Sequence, residues 1–179
     1  MPRLTGAQFL ADSLDAYGVT HVFFVPAILS HTLAELDKRT GIRRVMTHGE
    51  KSAAYMADGY ARACGRPGVT FAQCVGAANL AAALRDPWLA CSPVIALTGG
   101  PYHDTRHRHT YQEIDDFSLF PAVTKSSTRV ETIDRLPGAI RHLDIAVDHV
   151  QVMLSHLLDK NSLADPRSVA TKSRTVAMV

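Results

Sequence analysis

The sequence has few cysteines, little net charge and no long apolar run. Its three cysteines, among 179 residues, form no C-x-x-C pair, which favours a reduced protein with buried thiols over a disulfide scaffold. A formal net charge of +2 is too small to indicate nucleic-acid binding. No apolar run approaches the ~18 residues of a membrane span, and the N-terminus has no signal-peptide core. We therefore expect a cytoplasmic protein without nucleic-acid or membrane partners.

Common phosphate-binding motifs are absent too. Neither G-x-G-x-x-G nor G-x-x-x-x-G-K occurs in the chain, which counts against an unrelated nucleotide-binding α/β domain. One polar stretch carries three histidines and an aspartate that could suggest a metal: His103, His107, His109 and Asp104. Arginines alternate with them, and zinc sites usually need four ligands on ordered elements. We expect a solvated loop there and no metal site.

What the chain does contain is a strict alternation of helical and strand patterns. Helices are predicted near residues 5–17, 30–38, 50–64, 77–88 and 132–142, and strands near 21–25, 43–47, 69–74, 93–97 and 125–130. Such alternation with short connections predicts an α/β fold, a parallel sheet flanked by helices on both faces. We expect this domain to occupy residues 1–145, with its last helix–strand unit shortened. Residues 146–179 are expected to form an atypical amphipathic helix and a tail.

The stretch from Val45 to Asn79 holds the most informative polar residue. Glu50 is a single carboxylate at the point where a predicted strand gives way to a predicted helix. Open α/β sheets bind ligands at such ends of strands. Taken alone, an ordinary acid in the first turn of a helix is the commoner interpretation. The helix that follows is lined with alanines, so another backbone could approach it closely.

These residues resemble a known family. The block HGEKSAAYMADGYARACGRPGV is followed in order by VGAANL, PVIALTGG, YQEIDD and PAVTK. Together they are similar to the N-terminal, pyrimidine-binding domain of thiamine-diphosphate enzymes. The nearest branch is that of acetolactate synthase, benzoylformate decarboxylase and oxalyl-CoA decarboxylase. The resemblance covers about Leu4 to Arg141.

The resemblance implies thiamine diphosphate as cofactor and a catalytic role for Glu50. In this family the matching glutamate hydrogen-bonds N1′ of the aminopyrimidine and favours its imino tautomer, so the carboxyl must hold or share a proton. A helix N-terminus opposes this by stabilising the anion, so partial burial is expected to outweigh it. The resemblance also implies cofactor contacts from Gly76, Asn79 and Pro26, and substrate-side roles for Gln112, His48 and Ala27.

Two segments near these residues depart from the family pattern. Relatives read S-G-P-G-x-x-N before the fourth helix, whereas this chain has Cys74-Val75-Gly76 and then Asn79. The loop that contains Pro26 and Ala27 lacks the glycines common in relatives. Both departures affect the shape of the expected pocket, and a tight strand-to-helix turn is as good a reading of Gly76 as direct ligand contact.

Residues that would hold the diphosphate are missing from the chain. In the family a second domain binds it through Mg²⁺, with an Asp of a G-D-G segment and a later Asn, oxygen ligands that suit this ion. Here the only Asp-Gly pair is Asp58-Gly59, and the only two asparagines are Asn79 and Asn161. The resemblance therefore implies that another domain or a partner chain supplies the Mg²⁺ site.

Two functional hypotheses follow from the resemblance. The first is the pyrimidine-binding half of an acetolactate synthase-like 2-keto acid decarboxylase or carboligase, active with a complementary diphosphate-binding subunit. The alternative is a truncated, non-catalytic remnant that acts as a dimerising or regulatory module. In either case we expect a homodimer or a higher even oligomer, because the alanine-rich helix would otherwise be exposed.

Overall fold

A computed structural model describes residues 4–26, 29–100, 105, 107–146 and 176–178 of the chain. The helices are α1 (Gly6–Ala16), α2 (Ser30–Arg39), α3 (Glu50–Cys64), α4 (Cys74–Ala90) and α5 (Leu136–Ala146). The strands are β1 (His21–Phe24), β2 (Arg43–Met46), β3 (Gly68–Gln73), β4 (Val94–Gly99), β5 (Ser126–Thr128) and β6 (Val176–Met178). Short 3₁₀ turns occupy Phe117–Leu119 and Ile133–Arg135. None of the helices in these ranges is long and apolar enough to cross a membrane.

The strands form one six-stranded sheet in the order β2-β1-β3-β4-β6-β5, with every pair parallel. The predicted parallel α/β sheet is therefore confirmed. Strand β1 lies between β2 and β3. The chain passes from β1 to β2 on one side and then crosses to β3 on the other side of β1, so the strand order reverses at β1. This reversal creates a crevice at the carboxyl ends of the strands, where ligands of open α/β sheets bind.

Alternate residues of the strands point to opposite faces of the sheet and build two cores. On one face, Val22, Phe24, Phe71 and Leu97 pack against apolar residues of α1, α2 and α5. On the other face, Phe23, Ala72 and Ala96 pack against α3 and α4. Helices thus cover both faces, which is why the strands β1, β3 and β4 are largely apolar and buried. The edge strand β2 is mostly exposed.

Helix α1 begins where its sequence predicts. The Thr5 side chain accepts a hydrogen bond from the Gln8 backbone N–H at 3.2 Å, and the Gln8 side chain accepts one from the Thr5 N–H at 3.0 Å. This reciprocal capping box satisfies two N–H groups that an uncapped helix would leave without partners. The helix gives way at Gly18, which has a left-handed φ of 70°.

Three segments differ from the sequence-based expectation. Helix α4 starts at Cys74 directly after β3, three residues before its predicted start at 77, so Cys74, predicted to end the strand, and residues 75–76 are helical. Residues 143–145, which the family resemblance implies to be the final strand of the domain, are instead part of α5. The strand between β4 and β5 is instead Val176–Met178, which lies in the segment expected to be a tail. The amphipathic helix expected after residue 146 falls outside the described residues.

The alanine-lined side of α3 is packed inside the chain. Ala53, Ala54, Ala57 and Ala61 are almost fully buried against the sheet and α4. A Cβ added at Gly68 of β3 would lie 2.6 Å from the backbone carbonyl carbon of Ala57, so glycine there lets the helix backbone sit directly on the strand. The expectation that these alanines would be exposed and awaiting a partner was wrong, because β3 and α4 already cover them.

We predict that Gly68→Ala destabilises the domain by about 1–3 kcal/mol or more, since a methyl group at this position meets backbone atoms that only a shift of α3 could relieve. Chemical denaturation measures the loss. Gly59→Ala is the matched control, because a Cβ at Gly59 has nothing within 4 Å and alanine in a helix interior is favoured over glycine by roughly 0.5–1 kcal/mol. Equal stability of the two variants would contradict this account of the α3–β3 contact.

Candidate functional site

Glu50 is the first residue of α3, and the turn before it is held by Thr47. The Thr47 N–H donates to the carbonyl of Phe24 at 2.8 Å, which extends the β1–β2 pairing by one residue. Its buried hydroxyl donates to the carbonyl of Gly49 at 2.9 Å. These bonds fix the exit from β2, so that α3 begins at the carboxyl edge of the sheet.

The Glu50 side chain reaches across to the first turns of α4. Its Oε2 accepts a hydrogen bond from Asn79 Nδ2 at 3.1 Å. A Cβ added at Gly76 would lie 2.7 Å from Glu50 Cδ and 2.8 Å from Cγ, so a side chain at this position would require the Glu50 side chain to move. The structure therefore brings together three residues singled out from the sequence, Glu50, Gly76 and Asn79.

The described residues around the Glu50 carboxylate stabilise its negative charge but bond only one of its two oxygens. The N-terminus of α3 stabilises negative charge, and the Asn79 amide donates to one oxygen. The side chain is half-buried. Among the described residues no donor contacts Oε1. This oxygen can therefore accept a hydrogen bond from a ligand, or share a proton with one, while Asn79 keeps the carboxylate in place.

Gln112 lies against the same helix. Its backbone carbonyl accepts a hydrogen bond from Cys74 Sγ at 2.8 Å, and Cys74 is the first residue of α4. Gln112 is half-buried, has a left-handed φ of 62°, and its Nε2 donates to Tyr111 Oη at 3.3 Å. The segment of Gln112 and the first turn of α4 are thus joined by a side-chain bond.

The other predicted site residues, His48, Pro26 and Ala27, have no described contact with Glu50. His48 and Pro26 are exposed, and in the described part of the chain neither hydrogen-bonds Glu50. Ala27 lies outside the described residues. Their expected roles in substrate and cofactor contact stay predictions.

Sequence reasoning missed one buried polar group, the carboxylate of Asp116, four residues after Gln112. Asp116 is only 6% exposed; its carboxylate accepts a 3.4 Å hydrogen bond from Thr98 Oγ1 and lies 3.7 Å from the Arg129 guanidinium. Burial raises the pKa of Asp116, and Arg129 only partly opposes this. Burial likewise raises the pKa of the Cys74 thiol, and the charge of Asp116 adds to the effect. The departure from the family turn at Cys74 was an available signal, whereas Asp116 appeared only as part of the YQEIDD segment of the resemblance.

Residues expected in the histidine-rich loop are only partly described. His107 and His109 are exposed, while His103 and Asp104 lie outside the described residues. Across the described ranges, no group of three or more His, Cys, Asp or Glu side chains could hold a metal ion.

Comparison with known proteins assigns the chain to a family. Residues 4–119 match the family described as "Thiamine pyrophosphate enzyme, N-terminal TPP binding domain". The chain belongs to this family, which confirms the resemblance read from the sequence.

Relatives with established names agree with this assignment. The chain is 33% identical over 136 residues to acetolactate synthase of Bacillus subtilis, covering 75% of this chain and 24% of the relative. It is 36% identical over 138 residues to the acetolactate synthase isozyme 2 large subunit of Escherichia coli, covering 75% and 25%. It is 31% identical over 148 residues to a 2-hydroxyacyl-CoA lyase of Arabidopsis thaliana, covering 82% and 26%. The chain thus spans about a quarter of the length of these relatives.

A solved structure with the same fold supports the architecture. The thiamine diphosphate-dependent 4-hydroxybenzoylformate decarboxylase of Rhodococcus jostii RHA1 superposes with a TM-score of 0.74 at 19% sequence identity. The match covers 98% of this chain and 29% of that one. At this identity the likeness concerns the fold.

We predict that Asp116→Asn flattens the pH dependence of stability. Because the native pKa of Asp116 is raised, its stabilising contribution is present below the unfolded-state pKa of about 3.9 and is lost as pH rises through the native pKa. The wild-type free energy of unfolding should therefore decline over that interval, and the Asn variant should lack this part of the decline. Denaturant titrations at a series of pH values measure it, with Asp15→Asn, at an exposed aspartate of α1, as control. An unchanged slope in Asp116→Asn would contradict the prediction.

Proposed function

We propose that the chain is the pyrimidine-binding half of a thiamine-diphosphate-dependent 2-keto acid decarboxylase or carboligase, similar to acetolactate synthase. The observation that carries the proposal is the Glu50 carboxylate held by Asn79 over the backbone of Gly76. Family membership supports the cofactor, and the geometry supports the residue that would contact it.

The residues present fit an aminopyrimidine ring. Gly76 lacks a side chain where one would strike Glu50, so the carboxylate can lie against the backbone of α4, at the edge of the sheet where a flat heterocycle would bind. The free Oε1 suits a ring nitrogen that shares a proton. When bound, the cofactor would supply the carbanion chemistry and the electron sink of decarboxylation, while the protein supplies orientation and proton control.

Each residue then has a distinct task. Glu50 holds or shares the proton at the ring nitrogen, a general acid–base role. Asn79 binds the other carboxylate oxygen and so fixes the orientation of Glu50. Gln112, whose backbone carbonyl is bonded to Cys74 in the first turn of α4, would use its side-chain amide to orient the carboxylate or the carbonyl of a 2-keto acid.

A complete site needs parts that these residues do not provide. We propose that a diphosphate-binding half with Mg²⁺, on the same polypeptide or on a separate subunit, closes over Glu50. We also propose a homodimer or higher even oligomer, supported by two large apolar side chains exposed on α3, Tyr55 at 47% and Met56 at 46%. Free cysteines at 64, 74 and 91 support a cytoplasmic location.

The alternative is a non-catalytic module that dimerises or regulates a partner. The observation that favours it is Cys74, whose side chain fills a position that is glycine in the family turn and bonds to Gln112. Titration with excess thiamine diphosphate and Mg²⁺ separates the two hypotheses. A stable oligomer that gives no calorimetric binding signal would favour the module.

The test of the enzymatic proposal is Glu50→Gln in the assembled enzyme, assayed for turnover across a panel of 2-keto acids. Glutamine keeps the size of the side chain but cannot hold or share the proton, so we expect turnover to fall by roughly 10²–10⁴-fold, the usual contribution of acid–base catalysis. The matched control is Glu35→Gln, the same change on α2, where Glu35 makes only an ion pair with Lys38 at 3.8 Å. Wild-type turnover in Glu50→Gln would refute the proposal.

A further inference from the structure

The turn formed by residues 107–113, which includes Gln112, has an unusual backbone. Three non-glycine residues in it adopt left-handed conformations, His107 at φ 64°, His109 at φ 53° and Gln112 at φ 62°. Only one other non-glycine residue in the described ranges, Cys91, has a positive φ. Such conformations cost free energy and persist only where surrounding contacts hold them, often at functional sites.

The side chain of Glu113 supplies those contacts. One carboxylate oxygen accepts a short hydrogen bond from the His107 N–H. The other accepts from the Thr110 N–H at 3.0 Å and from the Thr110 hydroxyl at 3.3 Å. The Glu113 N–H in turn donates to the Thr110 carbonyl at 3.0 Å. A single carboxylate therefore ties both ends of the turn together.

The charge of Glu113 strengthens this arrangement. Hydrogen bonds from the backbone N–H groups of His107, the larger effect, and Thr110 lower the pKa of Glu113. The carboxylate is therefore ionised at neutral pH. Hydrogen bonds to an ionised acceptor are stronger than neutral ones. The turn is held by a carboxylate that stays charged under working conditions.

Gln112 is fixed from its other side by α4. Its carbonyl accepts the 2.8 Å hydrogen bond from Cys74, and two residues further along α4 lies Gly76, against the Glu50 carboxylate. The strained residue Gln112 thus directly precedes Glu113 in the chain and is hydrogen-bonded to the helix turn that borders Glu50.

We propose that Glu113 is a positioning residue: it holds the 107–113 turn in the strained shape that presents Gln112 to the 2-keto acid. The inference rests on the proposed function and deepens it, because it assigns substrate fit, rather than cofactor affinity, to this turn. Glu113 itself need not touch the substrate.

The test compares Glu113→Gln with Asp115→Asn in the assembled enzyme. Glutamine replaces one acceptor oxygen by an NH₂ group, so one of the two N–H donors loses its partner. Asp115→Asn removes the same charge two residues away, from a side chain that is 72% exposed and lies 3.7 Å from Arg129. Neither change should unfold the domain, because both carboxylates are on the surface.

Two readouts are needed. In Glu113→Gln we expect the backbone amide that loses its acceptor, that of His107 or of Thr110, to lose protection from hydrogen exchange and the Gln112 amide resonance to shift. We expect KM for the 2-keto acid to rise about 10–100-fold, the scale of a misplaced binding group, with the affinity for thiamine diphosphate unchanged. Asp115→Asn should match the wild type in every readout.

The outcomes separate this inference from the proposed function. Unchanged amide protection in Glu113→Gln, or a KM equal to that of Asp115→Asn while the cofactor binds normally, overturns the role of Glu113 alone. A wild-type enzyme that does not bind thiamine diphosphate overturns the proposed function, and this inference falls with it.

Discussion

The contact between Glu50 at the start of α3 and Gly76 near the start of α4 is the constraint on which the site depends. It exists because α3 lies directly on β3, where Gly68 accommodates the backbone of Ala57, and because both helices begin at the same edge of the sheet. The alanine-lined face of α3 makes this close packing possible. A side chain at Gly68 would push the backbone of α3 away from β3, and one at Gly76 would displace the Glu50 side chain from the Asn79 amide that orients it.

Much of this arrangement was predictable from the sequence. The alternation of apolar runs and helical periodicity predicted the parallel sheet, and the lone acid after β2 fell at the strand end where such sheets bind ligands. Glu50 was singled out by its place after β2, and Gly76 and Asn79 by the family resemblance; the fold brings all three together. Local patterns succeed here because the backbone geometry of β2–α3 and β3–α4 follows from short, adjacent stretches of chain.

What the sequence concealed depends on contacts between distant residues. Nothing near Val176 indicates that it completes the sheet beside Ile95, because strand pairing is a long-range property. The burial of Asp116 arises from Thr98 and Arg129 on other elements. Helix α4 begins at Cys74 with no turn before it. Relatives have a glycine at this position, whereas the cysteine thiol donates a hydrogen bond to the carbonyl of Gln112, a residue distant in sequence.

The most direct measurement of the central claim is a double-mutant cycle between Gly76→Ala and Glu50→Ala, read out as the affinity of the assembled enzyme for thiamine diphosphate with Mg²⁺. If Gly76 acts by leaving room for the Glu50 carboxylate, Gly76→Ala weakens binding strongly when Glu50 is present and little when it is replaced. The coupling should then fall in the range of roughly 0.5–3 kcal/mol found for residues in contact. Effects that add to within about 0.3–0.5 kcal/mol, as for independent sites, would contradict the account.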